Sequence, residues 1–298
     1  MKKVLVTGAG GLVGGDVVEA LSNNLKCQVF AAVHNNETDD WQNAIKIDLE
    51  NTNMESLKVQ LDYVVHCAAR IPNDIYCDEQ AALINRRMDN NIINYCVNHK
   101  CKLIYISGTS VYGNDDKGLL TEQTQADIKK INSKYICEKR NSEIKIENRC
   151  DSYCILRISS PYGPRQRNVN VLKKFVTNAY KGENIYYFGT GERTQNFVDV
   201  RDVAQAVLKC IDYPQNGIFN IASKNSISMK RLAGLVVEIG KSEFNTVSKV
   251  RKGNNLDIQE SVRINIDISL AERLLGWEPR IDLENGIRYW MRNMKESL

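Results

Sequence analysis

Val4-Leu5-Val6-Thr7-Gly8-Ala9-Gly10-Gly11-Leu12-Val13-Gly14-Gly15 opens the chain, an apolar run that breaks into glycine and resumes as Asp16-Val17-Val18-Glu19-Ala20-Leu21. The pattern predicts a buried strand, a tight turn clear of side chains, and a helix whose free N–H groups can hold a phosphate. Glycines spaced by three mean little in isolation. Between a Val/Leu strand and an amphipathic helix they define a phosphate-binding turn, with Gly8, Gly11, Leu12 and Gly14 as candidate dinucleotide contacts.

Composition bounds what such a turn can serve. At 298 residues the chain suits one large domain with a smaller appendage. Its 40 basic and 36 acidic residues nearly balance, which argues against nucleic acid held by a strong global field. No apolar stretch approaches the roughly 20 residues that span a bilayer. Met1-Lys2-Lys3 leads into a strand and not into a signal peptide, so a cytoplasmic protein with no membrane partner is expected. Nine cysteines lie scattered in apolar or helical contexts without a Cys-x-x-Cys pair, and read as reduced core thiols with no metal site.

Further along, strands alternate with helices. Cys27–Val33, Ala44–Asp48, Tyr63–Cys67, Lys102–Ser107 and Tyr153–Arg157 read as strands, with helices over about 78–98 and 133–147. Continuous apolar strands of this kind imply an α/β doubly wound parallel sheet of Rossmann type, covered on both faces. Beyond Pro161-Tyr162-Gly163-Pro164 the pattern loosens into helices near 168–181, 201–212, 228–240 and 283–294 with short strands at 185–187 and 218–221. The expected division is a dinucleotide-binding domain over 1–165 with a return segment at about 196–222. Residues 166–298 then form mainly a smaller C-terminal α/β substrate lobe.

The spacing Gly8, Gly11, Gly14 behind Thr7 differs from the Gly-x-Gly-x-x-Gly of most dinucleotide dehydrogenases. It resembles the Thr-Gly-x-x-Gly-x-x-Gly turn of the short-chain dehydrogenase/reductase superfamily. Later landmarks fall in the order of its extended branch, the NAD(P)-dependent epimerase/dehydratase family, which acts mainly on nucleotide sugars. Asp48-Leu49 matches the acid that meets the adenine amino group, and His66-Cys67-Ala68-Ala69 the small-residue turn beside the cofactor. Asn85 stands where the family has an asparagine that orders an active-site water chain. Leu156-Arg157 with Pro161-Tyr162-Gly163-Pro164, Phe197-Val198-Asp199-Val200-Arg201-Asp202, and Leu274-Leu275-Gly276-Trp277-Glu278-Pro279 match three further segments.

Hydride transfer at a sugar carbon requires a group that exchanges the hydroxyl proton. A tyrosine, with a pKa near 10, needs a neighbouring cation to do so near neutrality. Tyr135 has Lys139 four residues on and Glu143 a further four, all on one helix face. By the resemblance, Tyr135 is the acid/base and Lys139 holds the cofactor ribose. A second register stands beside this one: Ser133-Lys134-x-x-x-Glu138 also fits a family pattern, and would put Lys130 in the tyrosine's place.

The hydroxyl that orients the substrate oxygen is displaced as well. Its usual position, three before Val111, is Gly108, so Thr109 is the expected catalytic hydroxyl, with Ser110 as a neighbouring substrate contact. The Asp-Glu pair with which sugar 4,6-dehydratases eliminate water falls on Thr109 and Ser110, which points to epimerisation or keto reduction instead.

Cofactor choice between NAD and NADP stays open, because Val33-His34-Asn35-Asn36 carries neither the acid that favours NAD nor the arginine that favours NADP. Arg193 and Arg251 are the candidate diphosphate ligands on the substrate side. The resemblance thus implies an NAD(P)-dependent nucleotide-sugar epimerase or 4-ketoreductase, and a homodimer through the helices near 85–98 and 133–147. The alternative is a catalytically silent cofactor-binding or regulatory relative.

Overall fold

Each apolar run of the N-terminal half becomes a strand of a single sheet. The computed structural model describes every residue except 35–40, 52–53, 58, 114–117, 126–130 and 295–298. The strands are β1 (Lys2–Thr7), β2 (Cys27–Val33), β3 (Ala44–Lys46), β4 (Tyr63–His66), β5 (Lys102–Gly108), β6 (Tyr153–Ile158) and β7 (Gly217–Ile221). All pair in parallel, in the spatial order β3-β2-β1-β4-β5-β6-β7. β3 stops earlier than its apolar pattern, although the Ile47 amide still donates to the Val33 carbonyl at 2.8 Å.

The alternation along each strand shows why both faces are covered. Val4, Val6, Val65, Ile104 and Ile106 enter the core beneath α1 (Leu12–Ser22) and α5 (Val200–Asp212). Leu5, Val64, Leu103 and Tyr105 enter a second core beneath α2 (Asp78–His99) and α3 (Lys134–Arg149). A side-chain period of two with apolar residues on both sides is what a parallel sheet between two helical layers demands. Strand order reverses between β1 and β4, where Thr7 and His66 are register partners. That reversal opens the crevice in which such sheets bind ligands.

A third core gathers α4 (Val171–Tyr180), α6 (Met229–Phe244) and α7 (Leu283–Arg292) around Tyr162, Phe197 and Trp290. Short strands tie it together: Ser160–Tyr162 with Phe197–Asp199, and Ile185–Tyr187 with Val250–Lys252. The C-terminal Gly-Trp-Glu-Pro stretch latches onto α5. Buried Trp277 donates its indole N–H to the Asp202 carbonyl at 2.9 Å, and the Asp202 carboxylate accepts the Arg280 and Ile281 amides.

Candidate active site

The glycine turn is held by backbone contacts that only glycine permits. Gly8 adopts φ +68°, and a Cβ there would lie 2.8 Å from the Ala68 N and Cα; a Cβ on Gly14 would lie 2.1 Å from the Gly8 oxygen. The Gly11 amide donates to that same oxygen at 2.9 Å, and α1 begins at the next residue, half-buried Leu12. No side chain caps this helix and no acid lies in its first turn, so its leading amides and their partial positive charge face the crevice. A pyrophosphate fits such a start.

The small residues after β4 have a direct reason to be small. Ala68 abuts Gly8, and its amide donates to the Thr7 hydroxyl at 3.2 Å, while Ala69 is exposed. At the far edge, Leu49 is buried and Asp48 stands at the rim. The carboxyl of Asp48 is held below the usual carboxylate range by a hydrogen bond from Asn51, then by the Glu50 and Asn51 amides and the proximity of His34. Asn35 and Asn36, at the expected ribose end, lie outside the described residues.

Tyr135 and Lys139 occupy the first turns of α3, whose Ser133 cap accepts from the Ile136 amide and donates to Asp78 at 2.6 Å. Lys139 is buried; its Nζ donates to Tyr105 Oη at 3.0 Å and to the Ile106 carbonyl at 3.3 Å, 4.5 Å from the Tyr105 ring centroid. Tyr135 lies one turn earlier and is half-buried. Burial, with the Asp89 charge adding to it, pushes its phenol up to about 12. Lys134, the lysine of the other register, is exposed and paired with Glu79 at 2.5 Å. Lys130 lies outside the described residues.

Behind this pair runs a buried polar chain that sequence reasoning missed. Thr7 Oγ1 lies 2.7 Å from His66 Nδ1, and His66 Nε2 lies 2.9 Å from Asp89 Oδ1. Tyr105 and Ser142 hydroxyls both donate to Asp89 Oδ2 at 2.7 Å. Burial alone would raise Asp89, but the Lys139 charge and the bonds from His66 and Ser142 outweigh it and hold the carboxyl well below its ordinary range. One signal was available: Asn85, Asp89, Ile92 and Cys96 share a helical stripe, and that stripe is the buried one.

Glu143 serves the framework. It is fully buried, pairs with Arg157 at 2.8 Å and accepts from Ser107 at 2.6 Å. Arg157 also donates to Tyr112 Oη, which donates to Asn220. This scaffold supports Gly108 and the short turn Thr109–Tyr112. Thr109 is half-buried and Ser110 exposed, and Ser110 Oγ comes within 3.3 Å of where a Cβ on Gly108 would sit. Asn85 is spent on backbone: it accepts from the Arg70 amide and donates to the Arg70 and Ala81 carbonyls, clamping the loop after β4.

Beyond β6, Arg193 is paired with Asp257 at 2.9 Å and reaches Gln259 at 3.3 Å. Arg251 is exposed beside Tyr186, Lys249 and Asn178 in an open groove of about 540 Å³. A diphosphate at Arg193 therefore competes with Asp257.

A glycine turn at the switch point of a doubly wound sheet, flanked by a helix carrying tyrosine and lysine one turn apart, is the arrangement of the short-chain dehydrogenase/reductase class. The sequence profile of the NAD dependent epimerase/dehydratase family matches residues 4–222, and the chain belongs to that family. It is therefore an NAD(P)-dependent enzyme of the extended type. The "Putative UDP-glucose 4-epimerase" of Methanocaldococcus jannaschii is 30% identical over 319 aligned residues, covering 97% of this chain and 98% of that protein. In fold, the chain is similar to the UDP-glucose 4-epimerase of Thermotoga maritima solved with UDP-glucose, at TM-score 0.83, 24% identity and 98% coverage of both chains. It is similar also to the UDP-glucuronic acid 4-epimerase of Bacillus cereus solved with UDP-glucuronic acid and NAD, at TM-score 0.81, 23% identity and 98% coverage of both.

Proposed function

We propose that this protein is a nucleotide-sugar epimerase or 4-ketoreductase with a UDP-sugar substrate, in which Tyr135 exchanges the hydroxyl proton. The observation that carries this reading is the buried Lys139 ammonium, one turn from Tyr135 and turned onto β5, where it meets Tyr105 and the Ile106 carbonyl. When bound, the dinucleotide supplies the hydride acceptor and donor. The amides that start α1, with Gly8, Gly11, Leu12 and Gly14 around them, hold its pyrophosphate, and Asp48 with Leu49 receives its adenine. Ala68 and Ala69 leave room for it to lie close.

Lys139 has three ammonium protons; two go to Tyr105 and the Ile106 carbonyl, and the third serves the ribose or the Tyr135 oxygen. As the phenolate, Tyr135 takes the hydroxyl proton while the sugar carbon gives up its hydride, and the phenol so formed returns it when the resulting keto sugar is reduced. Thr109 is the expected hydroxyl, but Ser110 Oγ comes within 3.3 Å of where a Gly108 Cβ would sit, which supports giving Ser110 the task of orienting the sugar oxygen, with Thr109 beside it. Arg251, and Arg193 once released from Asp257, take the diphosphate. In this proposal residues 1–165 with the 196–222 return bind the cofactor, and the remainder of 166–298 binds the sugar nucleotide.

Among the described residues no helix is long and apolar enough to cross a membrane, and a cytoplasmic location is part of the proposal. So is a homodimer through the outer faces of α2 and α3, where Leu83 and Ile144 are exposed apolar residues. Sedimentation velocity of the purified protein tests the dimer.

The activity is tested by releasing the nucleotide carried by the purified protein and supplying UDP-glucose, UDP-glucuronic acid and UDP-N-acetylglucosamine in turn. Tightly held NAD with epimer formation supports an epimerase, and consumption of added NADPH supports a ketoreductase. Dinucleotide binding without turnover of any nucleotide sugar would favour the silent alternative.

A further inference from the structure

Asp89 is a carboxylate with no exposed surface, placed on α2 among groups from three other elements. His66 of β4 and Tyr105 of β5 face it, as do Ser142, Lys139 and Tyr135 of α3. A buried carboxylate is costly unless it is paired and hydrogen-bonded, and each of its oxygens is. The directions of those bonds matter more than their number. A tyrosine hydroxyl has one proton, and Tyr105 gives it to Asp89 Oδ2 at 2.7 Å. Its lone pair is thereby turned toward Lys139 Nζ at 3.0 Å. Without an acceptor at Asp89, the same hydroxyl could turn its proton toward the ammonium and repel it.

On the other side, His66 Nε2–H donates to Asp89 Oδ1 while Nδ1 accepts from Thr7, the tautomer that satisfies every member of the chain. Thr7 precedes Gly8 and accepts the Ala68 amide. One continuous set of hydrogen bonds thus runs from the glycine turn to the lysine.

We propose that Asp89 is a positioning residue for proton transfer: it fixes Tyr105 as an acceptor, and so fixes the Lys139 ammonium, and it couples that lysine to the glycine turn through His66 and Thr7. This rests on the reading of Tyr135 and Lys139 as the proton-transfer pair. Its charge also adds to the effect of burial in raising the Tyr135 phenol. An anion beside a phenol disfavours phenolate, so removing the charge moves the Tyr135 transition to lower pH.

Asp89→Asn keeps the shape and removes the charge; Tyr105→Phe keeps the charge and cuts the link to Lys139. Tyrosine labelled with carbon-13 at Cζ reads Tyr135 directly, its resonance being the one lost in Tyr135→Phe, and requires no turnover. The expected result is a Tyr135 midpoint lowered by about one pH unit or more in Asp89→Asn. In Tyr105→Phe kcat should fall about tenfold at little-changed KM for the sugar nucleotide. An unmoved midpoint in folded Asp89→Asn, or unchanged kcat in Tyr105→Phe, overturns the proposal. If Asp89→Asn does not fold, Tyr105→Phe alone decides it by the same kcat criterion. Turnover that survives Tyr135→Phe instead overturns the underlying reading, and the two failures are told apart by that variant.

Discussion

Gly8 and Ala68 touch backbone to backbone across the switch point, with 2.8 Å between the Ala68 Cα and the place a Gly8 Cβ would take. Gly8 is also left-handed at φ +68°, so an added methyl meets strain and collision together. Gly8→Ala should lower stability by about 1–3 kcal/mol and abolish dinucleotide binding, as read by urea denaturation and calorimetric titration with NAD. Tight binding with unchanged stability would mean that the turn does not set the cradle.

Glu143 and Arg157 form a buried pair at 2.8 Å under the sheet. Glu143→Gln leaves the arginine charge without its counter-ion, which should cost about 3–5 kcal/mol in a denaturant titration. The loss should appear in stability, with the dinucleotide affinity of the remaining folded protein close to normal.

Asp89 makes folding sensitive to acid in a definite direction. Its folded-state carboxyl lies below the ordinary value of 3.8. The stability it contributes is therefore fully present above the unfolded value and is lost as pH falls through the lower folded one. Asp89→Asn should be less stable than the parent protein at neutral pH, by on the order of 2 kcal/mol, and the two should converge on acidification below about pH 4. Parallel curves from pH 7 to pH 2 would contradict this.

The hydroxyl displaced from Gly108 offers a swap. Ser110→Ala should reduce kcat about a hundredfold, the scale of one lost oxygen-orienting donor, and Thr109→Val should reduce it less. The reverse order would return the role to Thr109. Steady-state kinetics on the nucleotide sugar that turns over decide between them.

The fold was legible because its determinants are local. The strand, glycine turn and helix at Val4–Leu21 need only their own residues, and each later strand is a continuous apolar run bounded by polar or helical sequence. The Tyr135–Lys139 pair was legible as a spacing with two registers open, and the proposal takes the Tyr135 register because of which way the two lysines turn. Lys139 turned toward β5 and Lys134 toward Glu79. Asp89 was hidden because Arg86-Arg87-Met88-Asp89-Asn90-Asn91 reads as a solvated helix surface, and its partners His66, Tyr105 and Ser142 come from three distant segments. The same holds for Arg193, whose partner Asp257 lies 64 positions away in sequence.

Tyr135→Phe tests the central claim most directly, since it removes one oxygen and leaves the packing of α3 intact. Assayed on the nucleotide sugar that the parent protein converts, the account predicts a loss of kcat of about a hundredfold or more with dinucleotide binding retained. Turnover at the parent rate would contradict it.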